Sequence, residues 1–530
     1  MNPISVVSPH QQSNMATPAL GVIALNRMGF GPRPSDLDAF NALGGSDEER
    51  LQNYIEQQLQ PQNIDDGELQ ARINSAGFQT LNKSLKQSWE DHFVNNGGDY
   101  AYRTLPYRET ERLTFLRAVY SRRQLAEVMA DFWHNHFNIF GRDYWAATLF
   151  MHHDRDIIRQ HLFGNFRELL EAVTKSTSML TYLDNYTNSN AGPNENHARE
   201  LFELHTLGAK HYLGVGRQDQ VPKDPEGRPV GYVDDDVYEA ARCFTGWTIR
   251  NRPNDPLVGN TGEFLYRSDW HDRFQKHVLG SFLPPDQADM VDGRQVLDLL
   301  AFHPGTAQHI SFKLCQRFIS DNPSATIVNS TADLFYAQRH SPTQLKEVLR
   351  HILNSSEFRT TWGAKTKRPF EVIASALRAT AVDLTFTVED ADSASFFWRY
   401  DQIGQPLFGR RSPDGYPDTR EHWLNTSTMV RRWELLNWLT TLEDGSGNLR
   451  MDVLAQTPAH IRSATALADF WIARILGRAI DASDREHIID FMALGHNPHL
   501  DLPIDTDPGT QKRLGSMVAL ILLSPEFQWR

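Results

Sequence analysis

Residues 124–140, QLAEVMADFWHNHFNIF, decide the fold class. Leu125, Val128, Met129, Phe132, Trp133, His136, Phe137 and Phe140 recur at steps of three and four, which makes one apolar stripe at the 3.6-residue period. A helix with such a stripe must pack against a core. Comparable periodicity predicts helices over residues 157–175, 194–207, 236–244, 306–319, 345–353, 369–380, 426–442, 466–476 and 514–523. Pro193, Pro304 and the Ser341–Pro342 pair supply helix-start signals. Alternating strand patterns are nearly absent, and residues 264–266 and 384–388 are the best short candidates. The predicted class is therefore all-α, with at most a minor β-hairpin.

Three stretches break the periodicity: residues 214–235, 248–293 and 383–423, all rich in Gly, Pro and Asp. None has the apolar content of a second folded unit, so they read as loop insertions in one helical body covering residues 19–530. Residues 352–359 (ILNSSEFR) and 521–528 (ILLSPEFQ) echo each other and read as a shared way of ending a helix.

A chain of 530 residues with 40% apolar and 22% charged side chains is ordinary globular material, which excludes disorder and fibrous repeats. The net charge of −13 argues against nucleic-acid binding, which depends on neutralising phosphates. Two cysteines, Cys243 and Cys315, form neither a disulfide framework nor a thiolate metal cluster. No apolar run is long enough to cross a membrane. Residues 1–18 read as a mobile polar tail. Apart from His10, the first basic side chain is Arg27, so no export signal is evident. The expected location is cytoplasmic, or periplasmic or secreted if a leader was removed. Phosphate-binding loops, dinucleotide fingerprints, the nucleophile elbow and the zinc-protease helix are all missing.

Three constellations could carry chemistry. Asp131 and His134 share a helix face, and Asn138 extends it. His136 lies roughly 200° from His134 and points inward with the stripe. Asp131, His134 and His136 are candidate ligands for a divalent metal if other segments complete the shell. The second constellation is residues 194–208, NENHARELFELHTLG. Its apolar face carries His205, while Asn196, Glu200 and Glu203 cluster beside it. Arg199 can reach Glu195 and Glu203. Glu200, Glu203, His205 and Arg199 are the candidate catalytic set, since buried carboxylates beside imidazoles acquire shifted pKa values. The alternative is an intrahelical ion-pair ladder with satisfied core histidines. The third constellation lies in the loops: Trp270, His271 and Asp272 in one, and Asp414, Tyr416, Trp423 and Asn425 in another, all candidate substrate contacts. Arg410–Arg411 and Lys365–Lys367–Arg368 add positive charge that could meet an anionic group.

NRMGFGPRPSDL (26–37), ADFWHNHFNI (130–139), FGNFRELLEAV (163–173), LDN (183–185), NENHARELFELHTLG (194–208), FTGW (244–247), KRPFEVIASALRAT (367–380) and GQPLFG (404–409) occur in this order. Together they resemble a large bacterial family known only as a domain of unknown function, number eighteen hundred. The resemblance implies a mostly helical protein, often exported, with a sulfatase-like protein as a possible partner. It carries over no activity, cofactor or catalytic set. Residues 411–418 fall where the family varies.

Two functional readings follow. One is a metal-assisted hydrolase acting on a surface polymer or another anionic or sugar-like substrate, with a metal-dependent oxidase as its variant. The other is a non-catalytic scaffold for binding or assembly with a partner protein. Under the first, the reaction centre lies where the 124–140 and 194–208 helices meet, with His136 and His205 converging.

Overall fold

Gln124–His136 forms the expected helix, ending four residues earlier than the stripe. Phe137 leaves the helical conformation but stays fully buried, so the apolar stripe outlasts the helix that begins it. Trp133 is completely enclosed against Phe132, Phe137 and Phe166. Gln124 fixes the start. Its side-chain amide donates to the carbonyls of Ala118 and Ser121, and its oxygen accepts from the Phe30 amide. In this computed structural model the described residues are 17–256, 258–441 and 449–530. Residues 1–16 of the expected tail and Leu442 lie outside them.

The architecture is predominantly helical with a minor β component. Leu105–Tyr120, Gln124–His136, Pro304–Phe318 and Pro369–Ala379 carry much of the buried surface. Buried apolar side chains form one continuous cluster running from Ala24 to Phe527. The 248–293 excursion folds into two antiparallel hairpins, Trp247–Arg252 with Gly259–Tyr266 and Lys276–Val278 with Ser281–Leu283. Asp383–Leu384 pairs with Leu449–Arg450 in a third, two-residue ladder. The 383–423 excursion also holds a helix, Ala391–Asp401, which its mixed composition concealed.

Two predicted helices change character. In residues 157–175 the helix starts only at Phe166, after a π-helical turn, His153–Ile158, and a tight turn, Arg159–His161. In residues 194–207, Asn196–Glu200 is α-helical and Leu201–His205 widens into a π turn. The Thr206 hydroxyl donates to the Leu201 carbonyl at 2.6 Å, and the Gly208 amide donates to Phe202 O at 3.1 Å. These bonds satisfy the carbonyls that the wide turn leaves unpaired. Among the described residues no helix is long and apolar enough to cross a membrane.

Candidate functional site

The π turn brings His205 to the end of the Gln124–His136 helix. The ring centroids of His136 and His205 stand 6.2 Å apart, as the convergence of the two segments requires. Pro304–Phe318 closes the third side. His309, one turn before Lys313, places its ring 6.3 Å from that of His136. Gly208 makes room for it: with φ +88° and His309 Nδ1 2.7 Å from the position a Cβ would take, no larger residue fits.

His136 is held at both nitrogens. Nε2 lies 3.1 Å from the backbone oxygen of His205, which can only accept, so Nε2 carries the proton. Burial, together with Lys313 and the neighbouring imidazoles, holds this ring well below the usual histidine range, so it is neutral. Its Nδ1 lone pair therefore accepts from Lys313 Nζ at 2.9 Å. Burial brings the Lys313 amine down to about 8, against the opposing pull of Asp418 and Asp414. Nothing in the sequence pattern singled out Lys313, whose place on an amphipathic helix is that of any solvent-facing lysine.

Glu200 and Glu203 lie one helical turn apart and are half-buried. Among the described residues neither makes a hydrogen bond or ion pair. Arg199, expected to reach Glu203, turns instead to Glu195 at 3.0 Å and Asp234 at 3.1 Å. Burial, with Glu203 and Asp414 adding negative charge, pushes the Glu200 carboxyl up to about 7. The hydroxyl of Tyr232, fully buried and without a hydrogen-bond partner among the described residues, is raised by burial and then by the charge of Glu203.

The loop 404–418 borders this ground. Asn135 is bonded to Tyr416 in both directions, at 2.8 Å to its carbonyl and 2.7 Å from its amide. Asn138 donates to the carbonyls of Arg410 and Ser412. The Tyr182 hydroxyl donates to Arg411 O at 2.6 Å. Thus Asn135 and Asn138 of the WHNHFN motif are loop anchors. Asp414, bound to Arg410 at 2.9 Å, acts electrostatically on Glu200, Lys313 and Tyr182 at once.

The proposed metal ligands do not share a shell. His134 Nε2 meets Asp154 at 2.9 Å, in a buried group with Arg117 and Arg159. Asp131 turns to Arg317 and Arg368. His136 spends both nitrogens as described. Among the described residues no group of three or more His, Cys, Asp and Glu side chains is placed to hold a metal ion. Asp131, His134 and His136 therefore do not fit the divalent metal expected from sequence.

The loop residues divide. Trp270 stands between the guanidinium groups of Arg252 and Arg267, which occupy its ring at 4.8 and 4.4 Å. His271 is bound to Asp292, which also carries Lys276. Asp272 holds Arg242 at 2.8 Å. These three serve the hairpin region and share no partner with the His136 cluster. Tyr416 and Asp414 border the cluster. Trp423 is buried, its Nε1 donating to Pro417 O at 2.8 Å, and Asn425 accepts from the Thr428 amide at the start of Thr426–Thr441. Lys365, Lys367 and Arg368, read as loop charge, are all buried. With Arg317 and Arg530 they surround Glu371, Asp418 and Asp321.

Fold and site define a helical protein with a histidine–lysine cluster beside an unpaired carboxylate pair. Residues 23–529 match the family model described as "Protein of unknown function (DUF1800)", and the chain belongs to that family. No curated protein and no solved structure matches it.

Proposed function

We propose that the chain is a hydrolase that works by acid–base catalysis at the half-buried pair Glu200 and Glu203, with Asp414 of the neighbouring loop acting on the same ground. The observation that carries this reading is the unpaired state of Glu200 and Glu203. Asp131, Asp154, Asp292, Asp321, Asp418 and Glu371 all rest on cationic groups, and the buried Asp236 and Glu109 on backbone amides and a hydroxyl. Burial, with Glu203 and Asp414 adding negative charge against the pull of Arg199, raises the Glu200 carboxyl to about 7, so it keeps a proton near neutrality. The protonated member can donate to a leaving oxygen while the ionised member activates water or supports developing positive charge. Three acidic groups there repel anions, so a neutral, hydroxyl-rich, sugar-like substrate fits better than a sulfated or phosphorylated one.

The test is hydrolysis of a panel of neutral oligosaccharides and nitrophenyl glycosides. The wild-type chain turns over at least one, and Glu200→Gln lowers kcat by roughly 10²–10⁴-fold with the fold intact. No turnover of any panel member, or a Glu200→Gln variant as active as wild type, overturns the reading.

A second reading, a scaffold that binds or assembles material with a partner protein, is supported by Asp131 and His134. Asp131 is consumed in an ion pair with Arg368, and His134 in a buried hydrogen bond with Asp154, and both serve structure.

A further inference from the structure

Lys313 differs from the other lysines buried in the body. Lys276 rests on Asp292, and Lys365 on Asp321 and Asp418. Lys367 is closed in against the ring of Phe527. Lys313 is partly exposed, has no carboxylate within ion-pair distance among the described residues, and makes its one hydrogen bond to a ring nitrogen. That nitrogen is a fixed acceptor, because the opposite side of the same ring is committed to the carbonyl of His205.

From this arrangement we infer that Lys313 is a nucleophilic amine that forms an imine with aldehyde- or ketone-bearing hydroxylated compounds, with His136 as its proton acceptor. The ammonium form passes one proton transiently to His136 Nδ1, 2.9 Å away, an uphill transfer to a ring held neutral by burial that the following bond formation draws forward. The freed lone pair then forms the C–N bond to the carbonyl carbon, and the C=O π electrons move to oxygen. That oxygen takes the proton back from His136, then a second proton that came from nitrogen, and leaves as water. The amine, the carbonyl compound, the imine and one water balance with no oxidant or reductant. A lysine in a partly desolvated site beside a neutral base is the usual setting for such chemistry. The burial that brings its amine down to about 8 raises the fraction able to attack near neutral pH.

This inference does not depend on hydrolysis, because adduct formation needs no turnover. The full chain is treated with limiting glycolaldehyde and cyanoborohydride near neutral pH, digested, and its lysines compared by mass. The expected result is that Lys313 carries the reduced adduct roughly tenfold or more ahead of the exposed Lys86 and Lys512, following its larger neutral fraction. Lys313→Arg removes that adduct and leaves the others. His136→Gln slows labelling at Lys313 and leaves Lys86 unchanged. Labelling of Lys313 no faster than that of Lys86 and Lys512 overturns the inference, and an undiminished rate in His136→Gln overturns the part given to His136. Labelling is read by mass without any glycoside present, so loss of hydrolysis and loss of imine formation are read separately.

Discussion

Arg530 places Nη1 2.9 Å from Glu371 Oε1, inside the body of the protein. Arg317 contacts the same carboxylate oxygen, and the Arg368 amide donates to the other oxygen at 2.8 Å. One carboxylate thus serves three cationic residues on separate segments. Its folded pKa is held well below the ordinary glutamate range: burial opposes ionisation, and Arg317, Arg530 and Arg368 outweigh it.

Glu371→Ala takes from Arg530 its ion-pair carboxylate and leaves Arg317 and Arg368 to Asp131, and breaking a buried network this way costs roughly 3–5 kcal/mol. The sign with pH follows from the depressed folded pKa. The stabilisation is present above the unfolded glutamate pKa and is lost as pH falls below it. Denaturant unfolding of wild type and variant therefore differs most near neutrality, and the gap closes in acid.

His197, His205 and His309 work in the same direction from the other side. Burial lowers their folded values to about 4, 3 and 3, against 6.5 for the unfolded ring. Below 6.5 the unfolded chain takes up protons that the folded chain refuses, so stability falls as pH drops from there toward 4. Both nitrogens of His197 are buried without partners, and Phe244 meets the ring edge-on at 5.4 Å. His197→Phe is expected to be neutral or stabilising by about 1 kcal/mol near pH 7, and more so near pH 5. Thermal melting at both pH values checks this.

Glu200→Gln should stabilise the fold at alkaline pH. Its folded carboxyl, raised to about 7, makes ionisation unfavourable in the folded state, so stability declines as pH rises from the unfolded glutamate value through about 7. The variant escapes that decline. Its melting temperature exceeds that of wild type near pH 8, and the two converge as pH falls below about 4, where the glutamate is neutral in folded and unfolded chains alike.

Gly415 holds φ +72°, and a Cβ there would sit 2.1 Å from the backbone oxygen of Asn135. Gly415→Ala forces the loop off the helix, at a cost of about 2 kcal/mol or more. Because Asp414 and Tyr416 move with it, any hydrolytic activity falls further than stability alone explains. Parallel melting and kinetic measurements separate the two effects.

The helical body is legible from periodicity because its stripes are long. Pro304–Phe318 and Gln344–Leu353 begin within two residues of their predicted starts. The two Ser-x-Glu-Phe echoes, read as helix endings, follow the ends of Gln344–Leu353 and Pro508–Leu523 but cap the next helices: Ser355 and Ser524 accept from the amides of Phe358 and Phe527. The approach of His136 to His205 follows from two inward-facing imidazoles on apolar stripes. Less legible were the choices made among partners. Asp131 and His134 share a helix face, yet charges far off in sequence draw them apart: Arg317 and Arg368 hold one, and Asp154 the other. The wide turn Leu201–His205 shifts the spacing that a regular helix would give Arg199 and Glu203. Lys313 needs a tertiary neighbour to become distinctive.

The paired clasp of Asn135 on Tyr416, with Asn138 gripping Arg410 and Ser412, has a consequence for selectivity. A rim fastened at its main chain is shaped before any guest arrives, so little ordering remains to oppose association. Discrimination then falls on how well a molecule matches a fixed outline, and compounds needing a wider gap are turned away at the threshold rather than accommodated.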